Sequence, residues 1–226
     1  MIKLISYSNE IGIYENRYHA GKVLANFLTK YKENAVIYCI PNGGVPVAEE
    51  LSEALHIPYD LLIVRKLKIP NNPEAGFGAV TIDESITLNE ELLKYIPISQ
   101  ASIDLEVKKT IENIKTRIKL YKGSNDFLNV KDKNVILTDD GLASGYTMIS
   151  GIKSIRKMNP NKIIVAIPTA SMSSIEKVEK LVSELYCPNV RGTPFAVASA
   201  YNNWYDLDDD EVLELLKNST NFIDNI

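Results

Sequence analysis

The sequence is poor in the features that mark several protein classes. Its 226 residues include only two cysteines, Cys39 in an apolar run and Cys187 ahead of a proline, which give neither a disulfide framework nor a metal-ligand cluster. A reducing, cytoplasmic setting is the expectation. No apolar run approaches the length of a membrane span, and the N-terminus lacks the basic, apolar, small-residue order of a secretory leader. Excess positive charge is missing as well: the formal net charge is -4, which disfavours a nucleic-acid partner. With 45% hydrophobic and 24% charged residues, disordered, collagen-like and coiled-coil architectures are excluded. The length suffices for one α/β domain with a sizeable core.

What is present is an alternation of apolar strands and amphipathic helices. Ala20, Val23, Leu24, Phe27 and Leu28 recur at helical spacing after Asn16, a capping residue; Arg17 and His19 at the helix start read as surface groups. Ala35 to Ile40 reads as a buried strand. The turn Pro41-Asn42-Gly43-Gly44 follows it, then a helix from Val45 to Leu55 with Pro46 in its first turn. Strand, glycine turn and helix form either an anion-binding geometry, with amides unobstructed by side chains, or simply a tight turn. Tyr59 to Leu67 reads as a second buried strand, delivering Arg65 and Lys66 where the carboxyl ends of parallel strands meet a ligand crevice.

Lys68 to Leu88 is rich in turn residues, with short β-like pieces around Asp83-Glu84-Ser85, and reads as a long irregular insertion, either a lid or a disordered segment. Ile103, Val107, Ile111, Ile114 and Ile118 mark a long, otherwise charged helix, either scaffold or dimer face. Lys162 to Pro168 reads as a strand and Ser171 to Leu185 as a helix. An apolar strand from Pro194, an aromatic cluster and an acidic helix from Asp208 to Leu216 complete the chain. The expected fold is α/β with a doubly wound, mainly parallel sheet, one domain over residues 1–226, a flexible loop at about 68–88 and a small hood or tail at about 190–226.

Val135 to Thr147 carries the densest chemistry. A strand delivers Asp139 and Asp140, which cannot both face an apolar core. Gly141, Ser144 and Gly145 then allow a close backbone turn, with Ser144 and Thr147 as hydroxyl donors and the next helix N-terminus as an anion cradle. Ordinary strand-to-helix capping is the plain alternative. Carboxylates beside a phosphate cradle fit a phosphorylated polyol.

This stretch resembles the signature of the type I phosphoribosyltransferases, apolar-apolar-apolar-x-Asp-Asp-Gly-x-Ala-Thr-Gly-x-Thr, with Ser144 at the usual threonine and Tyr146 where a small residue is common. The loop at Pro41 to Ala48 is similar to a subgroup of predicted members with Pro-Arg-Gly-Gly-Val-Pro-Val-Ala, and Asn42 stands at its arginine. Val64 to Leu67, Asn72 to Glu74 and Gly78 to Val80 follow the same subgroup, which makes Glu74 a candidate site residue in the flexible loop. The resemblance implies a Mg²⁺-dependent transfer of the phosphoribosyl group of phosphoribosyl pyrophosphate (PRPP) to a nitrogenous acceptor, a nucleobase among the candidates.

By the same resemblance, Asp139 and Asp140 take the ribose hydroxyls. Gly141, Leu142, Ala143, Ser144, Gly145, Tyr146 and Thr147 take the 5-phosphate, while Asn42, Gly43, Gly44, Arg65 and Lys66 take the pyrophosphate. Mg²⁺ is held through PRPP and water near the acid pair, without a direct protein ligand. Trp204 or Tyr205 stacks on a planar acceptor or packs a lid; the family's Asp ahead of Tyr201-Asn202 is absent, Ala200 standing there. A homodimer is expected. The alternative is a non-catalytic PRPP-binding regulator.

Overall fold

The computed structural model describes residues 2–4, 9–70, 72–123 and 128–223, with the side chains of 2–4 and 72–74 outside that description. In chain order the strands are β1 (Ile2–Leu4), β2 (Val36–Cys39), β3 (Tyr59–Leu61), β4 (Val64–Ile69), β5 (Asn72–Thr81), β6 (Ile86–Leu88), β7 (Asn134–Thr138), β8 (Lys162–Ala166), β9 (Thr169–Ser171), β10 (Glu184–Cys187) and β11 (Asn189–Arg191). The helices are α1 (Arg17–Ala25), α2 (Gly44–Leu55), α3 (Glu90–Leu93), α4 (Gln100–Tyr121), α5 (Tyr146–Arg156), α6 (Met172–Val178) and α7 (Asp209–Asn218).

The central sheet has the order β1-β10-β8-β7-β2-β3, and every neighbouring pair is parallel. Helices flank it, so strand residues are covered and read as continuous apolar runs, not as an alternation. Val36 to Cys39, Val135 to Leu137 and Ile163 to Ala166 are all buried. Helix α1 begins where Asn16 caps it, its side-chain oxygen accepting from the His19 N–H, and packs on α2. Helix α7 carries a full capping box between Asp208 and Glu211. This α/β architecture is the expected one.

Four local expectations change. Tyr59 to Leu67 is two strands, because the chain leaves the central sheet at Leu62, whose N–H donates to Cys39 O, and re-enters pairing at Val64 in a different sheet. A buried apolar run does not report which sheet it joins. The segment expected to be an irregular insertion is an antiparallel sheet, β4-β5-β6, packed against α4 and α5, with register shifts between Leu67 and Lys68 and between Lys68 and Ile69. The helix expected from Ser171 to Leu185 ends at Val178; a 3₁₀ turn follows, and Leu185 lies inside β10 between β1 and β8. Its apolar positions fit a helical period for a few residues beyond the true helix end. The strand expected after Pro194 is a 3₁₀ turn, Val197 to Ala200, attached to the body by a bridge between Tyr14 and Tyr201.

Candidate functional site

A cleft of about 440 Å³ opens at the carboxyl ends of β2 and β7. Its walls are Ile40 and Pro41 from the first loop, Asp139, Gly141, Ala143, Ser144, Gly145 and Thr147 from the turn after β7, Arg65, Lys66 and Lys68 of β4, and Glu106, Lys109, Thr110 and Asn113 of α4. Acids, hydroxyls and cations therefore meet in one concave space, as a phosphorylated ligand requires.

The turn after β7 is shaped by backbone pairing. Leu142 N–H donates to Thr169 O, Ser171 N–H donates back to Leu142 O, and Ser171 Oγ donates to Ala143 O. Leu142 is thereby turned into the core and Tyr146 lies outside the cleft lining, its ring under Lys177 Nζ at 5.1 Å. Of the seven residues expected here, Gly141, Ala143, Ser144, Gly145 and Thr147 face the cleft. Gly145 has φ +83°, which a side chain would oppose, and it starts α5, whose first-turn amides have no intrahelical acceptor.

Asp139 and Asp140 close β7. Asp139 Oδ1 accepts the Asp140 N–H at 2.8 Å, and Asp140 Oδ2 accepts Arg17 Nε at 2.9 Å. Burial, reinforced by the Asp140 charge, holds the Asp139 carboxyl well above the usual carboxylate range. Burial raises Asp140 too, and the Arg17 guanidinium opposes it. Arg17 is 5% exposed, not a solvated surface group. Its NH1 donates to Tyr205 O at 2.9 Å and its guanidinium lies 3.9 Å over the Trp204 ring. Trp204 also packs on Tyr201, whose hydroxyl donates to Asp140 O. Neither Trp204 nor Tyr205 lines this cleft; Trp204 packs on Arg17, and Tyr205 lines a separate hollow with Arg17, Tyr18 and Leu207. Nothing in the sequence around Arg17 signals this pairing.

The first loop also differs from expectation. Gly43 is required because a Cβ there would lie 1.9 Å from Asp140 Oδ2. Gly44 N–H is not available to a ligand, since it donates to Ile40 O at 3.1 Å. Asn42 is turned away from the cleft: its amide nitrogen donates to Leu207 O and Asp209 Oδ1, and its oxygen accepts Arg117 NH1 at 2.7 Å. Arg117 is 2.9 Å from Asp209 Oδ1, which also accepts the Tyr121 hydroxyl at 2.7 Å. Arg65 lines the cleft close to this cluster, its acidity raised by burial and then by the Arg117 charge. Lys66 lines the cleft as expected. The side chain of Glu74 lies outside the described residues.

Among the described residues no group of three or more His, Cys, Asp or Glu side chains is placed to chelate a metal. The acid pair offers hard carboxylate oxygens, suited to an ion that keeps water and phosphate oxygens as its other ligands. No helix of the described residues is long and apolar enough to cross a membrane.

Comparisons with known proteins agree with this geometry. The chain is 29% identical over 205 residues to a Mycobacterium tuberculosis protein named "Putative phosphoribosyl transferase MT0597", covering 90% of this chain and 46% of that protein, so it spans less than half the length of that relative. A solved structure, TT1426 from Thermus thermophilus, superposes with TM-score 0.71 at 28% identity, covering 90% of this chain and 97% of that one. A Staphylococcus aureus hypoxanthine phosphoribosyltransferase shares the fold at TM-score 0.50 and 15% identity, covering 87% of this chain and 85% of that one. The family model described as "Phosphoribosyl transferase domain" matches residues 9–200. With the acid pair, the glycine-hydroxyl turn and the parallel sheet all in place inside that span, the chain belongs to the phosphoribosyl transferase domain family.

Proposed function

We propose that the protein transfers the 5-phosphoribosyl group of PRPP to a nitrogenous acceptor and releases pyrophosphate. The observation that carries this reading is the placement of Asp139 beside Gly141, Ala143, Ser144, Gly145 and Thr147 on one wall of a cleft whose other wall holds Arg65, Lys66, Lys68 and Lys109. A ribose 5-phosphate seated on the turn puts its hydroxyls at the acid pair and its anomeric substituent towards the cations. The turn after β7 and the first-turn amides of α5 receive the phosphate. The acid pair orients the sugar.

As the anomeric C1–O bond breaks, its electron pair leaves with pyrophosphate while the acceptor nitrogen forms the new N–C1 bond and yields its proton to base or water. Positive charge grows on the sugar next to Asp139, which lines the cleft, while Asp140, outside that lining, is held by Arg17. Negative charge grows on the leaving group next to Arg65 and Lys66, a stabilisation realised mainly in the transition state. Asp139 and Asp140 would be the residues to hold Mg²⁺, through PRPP and water, and the ion would supply Lewis-acid stabilisation of the leaving oxygens. No side-chain nucleophile is needed.

A second reading, a PRPP-binding regulator without turnover, is favoured by one observation: the Asn42 amide and the Gly44 N–H are already hydrogen-bonded within the protein. Calorimetric titration of PRPP with Mg²⁺ into wild type and Asp139→Asn/Asp140→Asn tests the site, and pyrophosphate release in a screen of bases then separates the two readings. Binding lost in the double variant is the expected result. Absence of binding by folded wild type removes both readings.

A further inference from the structure

Helix α4 does more than the scaffold or dimer-face role its charged sequence implies. Glu106, Lys109, Thr110, Asn113 and Arg117 lie three, four, seven and eleven positions along from the first, one stripe flanking the apolar stripe of Ile103, Ile114 and Ile118 that faces the core. Four of the five line the cleft. The fifth, Arg117, fixes the direction of the helix, because its NH1 is bonded to Asn42 in the loop before Gly43. At the far end, Glu106 accepts the Lys68 N–H at 3.2 Å. The stripe therefore runs alongside β4 from the first loop to Lys68. At a rise of about 1.5 Å per residue, Asn113 is about 6 Å and Lys109 about 12 Å along the axis from Arg117.

The first loop has few donors left for an anion. Asn42 is held by Leu207, Asp209 and Arg117, and Gly44 N–H by Ile40. Asn42 also brings no charge. The cations that do face the cleft are Arg65, Lys66, Lys68 and Lys109, and among the described residues no ion pair engages the ammonium of Lys68 or Lys109. Lys109 and Asn113 are both solvent-exposed, so their polar ends reach the cleft without desolvation in the free protein.

We infer that the inward face of α4, through Lys109 and Asn113, is a diphosphate-binding wall that works with Lys68 of β4. It supplies, from a formed helix, the contacts that the first loop gives up to hydrogen bonds with Ile40, Leu207, Asp209 and Arg117. This rests on the proposed PRPP reading and adds to it residues that neither the acid-pair motif nor the glycine loop contains.

Calorimetry with inorganic pyrophosphate and, separately, ribose 5-phosphate, each with Mg²⁺, distinguishes the parts. Lys109→Ala/Asn113→Ala is expected to weaken pyrophosphate binding by about tenfold or more and to leave ribose 5-phosphate within about twofold, since loss of a charge-assisted contact acts locally. Lys109→Arg should retain most of the affinity. Lys108→Ala, outside the cleft lining, should change neither ligand. Equal pyrophosphate affinity in wild type and double variant, or equal weakening of both ligands, overturns the wall. Wild type that binds pyrophosphate, ribose 5-phosphate and PRPP not at all overturns the PRPP reading and the wall with it.

Discussion

Arg17 and Asp140, separated by 123 positions in the chain, form an ion pair at 2.9 Å with side chains only 6% and 15% exposed. The same guanidinium lies over Trp204 and donates to Tyr205 O. The start of α1, the end of β7 and the segment before α7 are thus joined through one side chain.

Arg17→Met should leave the Asp140 carboxylate buried without its partner and lower stability by about 3 kcal/mol, measured by urea unfolding. Adding Asp140→Asn should recover a large share of that loss, because the uncompensated charge is gone. Simple additivity of the two single changes would show that the pair does not interact in solution.

Gly43→Ala should be far more harmful than Gly44→Ala. The added methyl group at 43 meets Asp140 Oδ2 at 1.9 Å, whereas at 44 the nearest atom is Asp139 Cα at 3.1 Å. About 1–3 kcal/mol of overpacking strain is expected at 43, and, on the proposed PRPP reading, weaker PRPP binding as Asp140 is displaced. Similar melting temperatures for the two variants would contradict the close approach of loop and acid.

Lys122 and Asp60 form an ion pair at 2.7 Å with side chains 1% and 0% exposed. It links the end of α4 to β3. Lys122→Met should cost about 3–5 kcal/mol in denaturant unfolding, and Lys122→Met/Asp60→Asn clearly less, since one uncompensated buried charge is the main penalty. Equal costs would count against that account.

Stability should also fall in acid through Glu184. Burial raises its carboxyl, but hydrogen bonds from Lys30 and Tyr186 outweigh this and bring it from 4.5 to about 2. The folded carboxyl thus titrates below the unfolded one. Its contribution is complete above about pH 4.5 and is lost as pH falls towards about 2. Glu184→Gln should flatten that part of the stability profile by about 1–2 kcal/mol in unfolding experiments across the range, with the half-exposed Lys30 limiting the effect.

Much of the fold was readable from local pattern. Asn16 caps α1, Asp208 starts α7, and the buried strands at Val36, Val135 and Lys162 lie where apolar runs meet turn residues. The acid pair and the hydroxyl turn were readable because their chemistry is contiguous. Arg17, Lys109, Asn113 and Arg117 were not, since each joins the site through tertiary placement and carries no motif of its own. The turn-rich composition after Lys68 concealed β5, whose Gly76 and Gly78 allow close passage of Lys66 and of the Thr87 backbone. Asn42 looked like a missing charge; in the folded protein it is a clip between two helices.

The parallel order of the central sheet sets a timetable for synthesis. The β3 edge partner of β2 follows it by about twenty residues, whereas the partner of its other edge, β7, follows about one hundred residues later. At ribosomal rates of about 5–20 residues per second that interval lasts about 5–20 s. During it, the apolar edge Val36 to Cys39 is open to other nascent chains. β1 waits longer still, for β10. Crowded translation of this message is therefore a contest between completing the sheet and aggregating through β2, and slowing the ribosome between the two strands would lengthen the exposed phase.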